Sequence, residues 1–312
     1  MMRPIWKAAC HSFRRSPGMP RTTRKGSCDM YLTFDAAMLG IRGDFATTAR
    51  LAAKAGFKGI QVTAEWMNQP GKLHEAGRIV RDLGLQWGLM PTPADFFDPE
   101  LDEARFEKAL ETLKQWADTA RSVGMRRAYN HVWPSHDSPS FAETFDWHVQ
   151  RLRRIEAVLN MNQIRYGLEF LGPQELRTMR PHRFVHTIAG VLAIADAAGG
   201  NSGFLFDTYH WYTGSGRLDD VYLAAANHAR MVCVHINDAP AGVARDDLKD
   251  LTRALPMTTG VINSAAVLGI FRQNGYEGPV LCEPMRPTTE RFAGYPADQA
   301  IAEAYAAASR TL

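Results

Sequence analysis

Cysteine is scarce in this 312-residue chain: there are four, and none stands in a CxxC or HxxxC spacing. That excludes a disulfide framework and a thiolate zinc site, and predicts free thiols in a reducing, cytoplasmic setting. No apolar run approaches the roughly 20 residues that a membrane helix needs. Charge of one sign is also lacking. The net charge is +3, but the first 30 residues are basic and contain no Glu, so the rest is near neutral. Nothing there calls for nucleic acid or an anionic membrane as partner. Residues 1–29 carry a Ser-Phe-Arg-Arg run but no apolar stretch of the kind an export signal requires, and are read as a disordered extension or as sequence ahead of a natural start at Met30. Cys10 and Cys28 fall in that segment.

What is present from residue 31 onward is a rhythm. An apolar strand-like run is followed by a helix-periodic run, eight times over: "YLTF" then "DFATTARLAAKAG", "GIQVTAEW" then "GKLHEAGRIVRDLG", and so on to "PVLCEPMRP" then "ADQAIAEAYAAASR". Strands alternating with helices predict a parallel sheet. Eight such units in about 280 residues predict a closed (β/α)8 TIM barrel over 31–312. An open doubly wound sheet would want a glycine-rich phosphate loop after the first strand, and "DAAMLGIRGD" is not one. No linker or low-complexity segment divides the run.

A (β/α)8 barrel places its chemistry at the C-terminal ends of its strands. The last four strands each end in a metal-ligand type: Glu169 in "GLEF", Asp207 in "LFDTYH", His235 in "VCVHIND" and Glu283 in "LCEP". One such residue alone is commonly a helix cap. Four in succession are hard to bury without a cation, because three unpaired carboxylates would be very costly. The mixed set predicts one divalent ion, Mn2+ first, with Mg2+, Co2+ or Zn2+ also suited. Side-chain alternation turns Cys282 away from Glu283 and puts Cys233 one layer below His235, so both cysteines read as core. Glu65 and His131 end strands two and four and face the same mouth, as candidate substrate contacts. Trp66, Trp133, Phe34 and Trp211 are aromatics that either stack on a sugar ring or simply pack.

The series Glu169, Asp207-x-x-His210, His235 and Glu283 resembles the sugar isomerase/epimerase family with the xylose-isomerase-like barrel. "HINDAP", "TTGVIN" and "CEPMRP" look most like its 2-keto-myo-inositol (inosose) isomerase branch, with Glu283, Arg286 and Pro287 matching a Glu-x-x-Arg-Pro run. The resemblance implies a metal-dependent isomerase or epimerase acting on a hydroxy-ketone sugar or inosose through an enediolate. It implies that Glu169 and Glu283 exchange the proton while ligating the metal, that Asp207 and His235 hold the metal, and that His210 contacts substrate. Arg286 is either a substrate contact or a rim salt bridge. Ketose 3-epimerases carry an Arg soon after the strand-seven histidine; here the first is Arg245, and the long loop could bring in Arg245 or Arg253. The partner implied is a small sugar or cyclitol, with a homo-oligomer compatible.

The alternative activity is a metal-dependent dehydratase of a keto-inositol, keto-sugar or 3-dehydroshikimate-like substrate, using the same metal and bases. A three-zinc DNA-repair endonuclease on this barrel would need further histidines, and none follows His235. A sugar-binding protein on a retained barrel would be expected to have lost a ligand, and none is missing.

Overall fold

The structure, a computed structural model, describes residues 30–312; the expected extension at 1–29 lies outside the described residues. Eight strands run parallel: β1 (Tyr31–Phe34), β2 (Gly59–Ile60), β3 (Gln86–Trp87), β4 (Arg127–Val132), β5 (Arg165–Phe170), β6 (Gly203–Asp207), β7 (Met231–Ile236) and β8 (Pro279–Cys282). Their order is β3-β2-β1-β8-β7-β6-β5-β4. A parallel bridge between Met90 and Ala128 joins the β3 side to β4 and closes the ring. The expected TIM barrel is therefore the observed one.

Eight principal helices alternate with the strands: α1 (Phe45–Ala55), α2 (Pro70–Asp82), α3 (Glu103–Val123), α4 (Phe141–Met161), α5 (Ile188–Ala198), α6 (Leu218–Ala226), α7 (Ser264–Gln273) and α8 (Ala297–Ala308). Their ends follow from local chemistry. Asp44 caps α1 by accepting from the Thr47 amide, and Gly56 closes it at φ 118°, a conformation that favours glycine. Asp102 and Gly124 do the same for α3. Apolar faces such as Phe106, Leu113 and Trp116 of α3 bury against the barrel. No described helix is long and apolar enough to cross a membrane.

The structure departs from the sequence expectation in three places. After β2 the chain turns into a short helix, Ala64–Met67, so Glu65 and Trp66 sit on that helix and not on the strand. After Asp207 it turns at once into a helix, Thr208–Gly214, which carries His210 and Trp211. The periodicity of "PHRFVHTIAGVLAIADAAG" predicts a helix from residue 181, but His182–Arg183 pairs antiparallel with Ser135–His136 and α5 starts only at Ile188. In the first two cases the run ends at a polar residue that begins a helix, Thr63 or Asp207.

Inside the barrel, Leu89, Leu205, Cys233 and Leu281 form a small buried cluster of their own. The ligand residues stand one layer above it. Cys282 joins the main core instead, facing the helices. Alternation along β7 and β8 accounts for both placements.

Candidate metal centre

Register brings the four ligands together. Asp207 on β6 and His235 on β7 are direct neighbours. Leu281 on β8 is level with His235, which lifts Glu283 to the mouth two residues on. Glu169 on β5 is level with His131 on β4. One ligand atom from each of Glu169, Asp207, His235 and Glu283 lies within 4.8 Å of the others, and all four residues are buried. His235 Nδ1 is 3.3 Å from Glu283 Oε2, 3.6 Å from Glu169 Oε1 and 3.9 Å from Asp207 Oδ2.

The group fits a divalent ion by what it leaves unsatisfied. Glu169 Oε1 and both ring nitrogens of His235 are buried without a hydrogen-bond partner. Buried polar atoms are normally paired, so Glu169 Oε1 and His235 Nδ1, unpartnered and 3.6 Å apart, mark a place for a cation. Three carboxylates and an imidazole are the donor set of a hard or borderline divalent metal. Asp207 divides its oxygens: Oδ1 accepts from the amides of Tyr209 and His210, capping the short helix. Its Oδ2 is turned to the cluster.

Burial alone would favour the neutral forms here, and the neighbours decide otherwise. Asp207 is desolvated, yet Arg253, His210 and His235 hold its carboxyl well below the usual range. Burial pushes the Glu283 carboxyl up, with His235 and Arg253 opposing. His235 is desolvated, but the charge of Glu283 and its other neighbours raise it well above its ordinary value.

Arg253 is the residue that the sequence underdetermined. It is 2% exposed. Its Nη1 donates to Asp207 Oδ2 at 2.9 Å and to Glu283 Oε2 at 2.6 Å. Its Nη2 donates to Asp250 Oδ1 at 2.7 Å and approaches His210 Nε2 at 3.2 Å. The guanidinium also lies over the Tyr209 ring, 4.8 Å from its centre. It is delivered by the long loop after β7. There the Asp238 carboxylate accepts from the amides of Thr259, Gly260 and Ile262. Asp238 and Ala254 exchange backbone bonds beside it. Of the two arginines expected from this loop, Arg245 stays exposed and donates to the Ser215 carbonyl.

The substrate-contact candidates divide. His131 lines a cavity of about 280 Å3 together with Asp35, Gln61, Asp95 and Tyr129. Its Nε2 is 3.2 Å from Glu169 Oε2 and its Nδ1 is 3.4 Å from Asp95 Oδ2. Burial disfavours the charged imidazole, but Asp95 and Glu169 outweigh that and raise it well above its usual range. Trp133 donates from Nε1 to the same Asp95 oxygen at 2.8 Å. Asp95 went unread in the sequence; its only signal is an acid just beyond strand three in "PTPADFF". His210 is buried behind the cluster, taking the Gly172 amide on Nδ1 at 3.3 Å. That loop must pass close, since a Cβ on Gly172 would lie 2.0 Å from the His210 carbonyl oxygen. Arg286 is exposed on the rim, 3.5 Å from Glu290. Glu65 is exposed and lines an outer trough with Trp66. Phe34 packs on Phe57 and Trp211 on Phe206, both in the core.

Residues 49–309 match the family model described as the xylose isomerase-like TIM barrel, and the chain belongs to that family. The inosose isomerase of Halalkalibacterium halodurans is 24% identical over 190 residues, which is 60% of this chain and 62% of that protein. The match thus spans about three-fifths of the curated relative's length. Among solved structures, a xylose isomerase domain protein from Alicyclobacillus acidocaldarius superposes with a TM-score of 0.75 at 24% identity, over 90% of this chain and 98% of the other. The IOLI protein, solved with a bound zinc atom, superposes with a TM-score of 0.75 at 17% identity, over the same shares of each chain. These likenesses show the fold. With the buried four-residue cluster, the family membership marks a metal-dependent enzyme.

Proposed function

We propose that this protein is a divalent-metal-dependent isomerase or epimerase of a hydroxy-ketone, a sugar or an inosose, working by removal and return of an α-proton. The observation that carries the reading is the placement of Glu169 and Glu283 on either side of His235, with Glu169 Oε1 left unpartnered. Glu169, Asp207, His235 and Glu283 would hold a divalent ion, Mn2+ by preference, which would supply a Lewis acid for the oxygens of the substrate. Two carboxylates facing each other across a bound ring can take a proton from one side and return it on the same or the other. Glu283 is buried, and its Oε2 accepts from Arg253 Nη1 at 2.6 Å beside His235, which fixes the carboxylate at the cluster. His131, held by Asp95, touches Glu169 and lines the cavity, so it is placed to hydrogen-bond a substrate oxygen. His210 acts through Arg253, and Glu65 and Arg286 are contacts for the outer part of the substrate.

Two further features support the reading. The curated relative is an inosose isomerase, and the two described cysteines are buried and unpaired, in keeping with a cytoplasmic protein. The test is turnover of a panel of inososes, ketohexoses and hydroxypyruvate, with products identified by NMR. Conversion that EDTA abolishes and Mn2+ restores supports the proposal. Water loss to an enone would place the enzyme with the dehydratases instead.

A further inference from the structure

The floor of the barrel, at the N-terminal ends of the strands, holds a pair of like charges. Arg127 opens β4 and Arg165 opens β5, and the two are direct neighbours in the parallel ladder. Adjacent strands lie about 4.8 Å apart, so the two stems start side by side. Alternation puts Arg127 on the face of β4 that carries Tyr129 and His131, and Arg165 on the face of β5 that carries Glu169. Both therefore enter the barrel. They do so four residues before His131 and Glu169, about 13 Å below the metal centre at roughly 3.3 Å per residue.

Their surroundings supply no negative charge. Among the described residues no carboxylate forms an ion pair with either arginine. Arg165 Nη1 donates to the Ala229 carbonyl at 2.9 Å. The Nε of Arg127 is buried without a hydrogen-bond partner. The polar side chains beside the pair are two phenols. The Tyr31 hydroxyl donates to the Trp87 carbonyl at 3.1 Å, and that of Tyr276 to the Pro279 carbonyl at 2.9 Å. Burial raises both phenols, which keeps them uncharged. Burial, and after it the charge of Arg127, pulls the Arg165 guanidinium down from its usual range. Two half-buried cations in register, one with an orphan donor, call for a counter-ion. The planar fork of arginine matches the oxygens of a phosphate or a carboxylate.

We propose that the floor of the barrel binds one small oxyanion between Arg127 and Arg165, at the opposite end from the metal centre. The anion neutralises the pair and braces β4 against β5. That end of such a barrel carries stability rather than chemistry.

The test is calorimetric titration of sodium phosphate into the full chain in EDTA, which removes any metal at the mouth that could itself take phosphate. One phosphate per chain is expected, with a Kd of roughly 1 mM or below. Arg127→Met and Arg165→Met should each weaken it by about 10-fold or more. Arg127→Lys keeps the charge without the fork and serves if the methionine variants do not fold; it should weaken binding by about 3-fold or more. A carboxylate of the chain is a second source of the same chemistry: Asp29, the only acid among residues 1–29, stands two positions before Tyr31. If the parent binds no phosphate and Asp29→Asn does, with the same dependence on the arginines, the site stands and its oxyanion is the chain's own. No binding in either protein, or binding unchanged in the arginine variants, overturns the site.

Discussion

Replacing Arg253 by Met keeps most of the stem and removes the charge from the middle of the cluster. In the metal-free protein its Nη1 is shared between Asp207 and Glu283, both buried. Three carboxylates would then face one imidazole. Removing one partner of a buried ion pair costs about 3–5 kcal/mol. At roughly 2–3 °C per kcal/mol for a chain of this size, the melting temperature in EDTA should fall by about 6–15 °C. A saturating divalent ion supplies the missing positive charge, so it should recover much of that loss. The stabilisation on adding Mn2+ is therefore expected to be larger in the variant than in the parent. Arg253→Lys keeps the charge but not the fork that reaches Asp207, Glu283 and Asp250 together, and should fall between the two. Scanning calorimetry of the three proteins, with EDTA and with Mn2+, measures all of this. An R253M protein that melts within about 2 °C of the parent in EDTA would refute the reasoning.

Glu283→Gln keeps the shape of a ligand but not a base; proton exchange should be lost and Mn2+ affinity should drop by at least 10-fold, and normal turnover with full metal content would contradict both. His210→Ala should leave metal content intact by elemental analysis but lower turnover, because the ring steadies Arg253 at 3.2 Å; metal loss would give His210 a different role. His148 lies between the Phe97 and Phe184 rings, at 5.3 and 4.6 Å, and burial pushes it down to about 3. The unfolded chain takes up that proton near pH 6.5, so His148 is without cost above that pH and destabilises the fold as pH falls toward 3, by up to about 1.4 kcal/mol per unit. His148→Phe should therefore lose about 2 kcal/mol less than the parent between pH 7 and pH 5, by urea denaturation at both pH values; an unchanged difference would refute this assignment.

Much of this was legible in the sequence because the signals are local. Caps such as Asp44 and Gly56 mark where helices begin and end. The period-two alternation around "VCVHI" and "LCE" says which side chains enter the barrel: Cys233 and His235 do, one layer apart, and Cys282 does not. The four residues of the cluster could be read together because each lies at the end of its own strand. Asp95 and Arg253 lie in loops, where no periodicity fixes a direction. Arg253 reaches the cluster only because Asp238 gathers three amides of its loop and pairs with Ala254. Glu65 reads as a strand end because "GIQVTAEW" carries strand-forming residues past Ile60, whereas the chain turns to helix after Thr63, as it does after Asp207.

The central claim is that Glu169 and Glu283 move a carbon-bound proton beside a divalent metal. The most direct measurement is deuterium incorporation from D2O into a hydroxy-ketone panel, followed by NMR with the Mg2+- or Zn2+-loaded protein. The account predicts deuterium at one carbon next to the carbonyl of one substrate class, lost with EDTA and lost in Glu283→Gln. Turnover of a substrate with no solvent deuterium entering it, or exchange that survives EDTA, would contradict it.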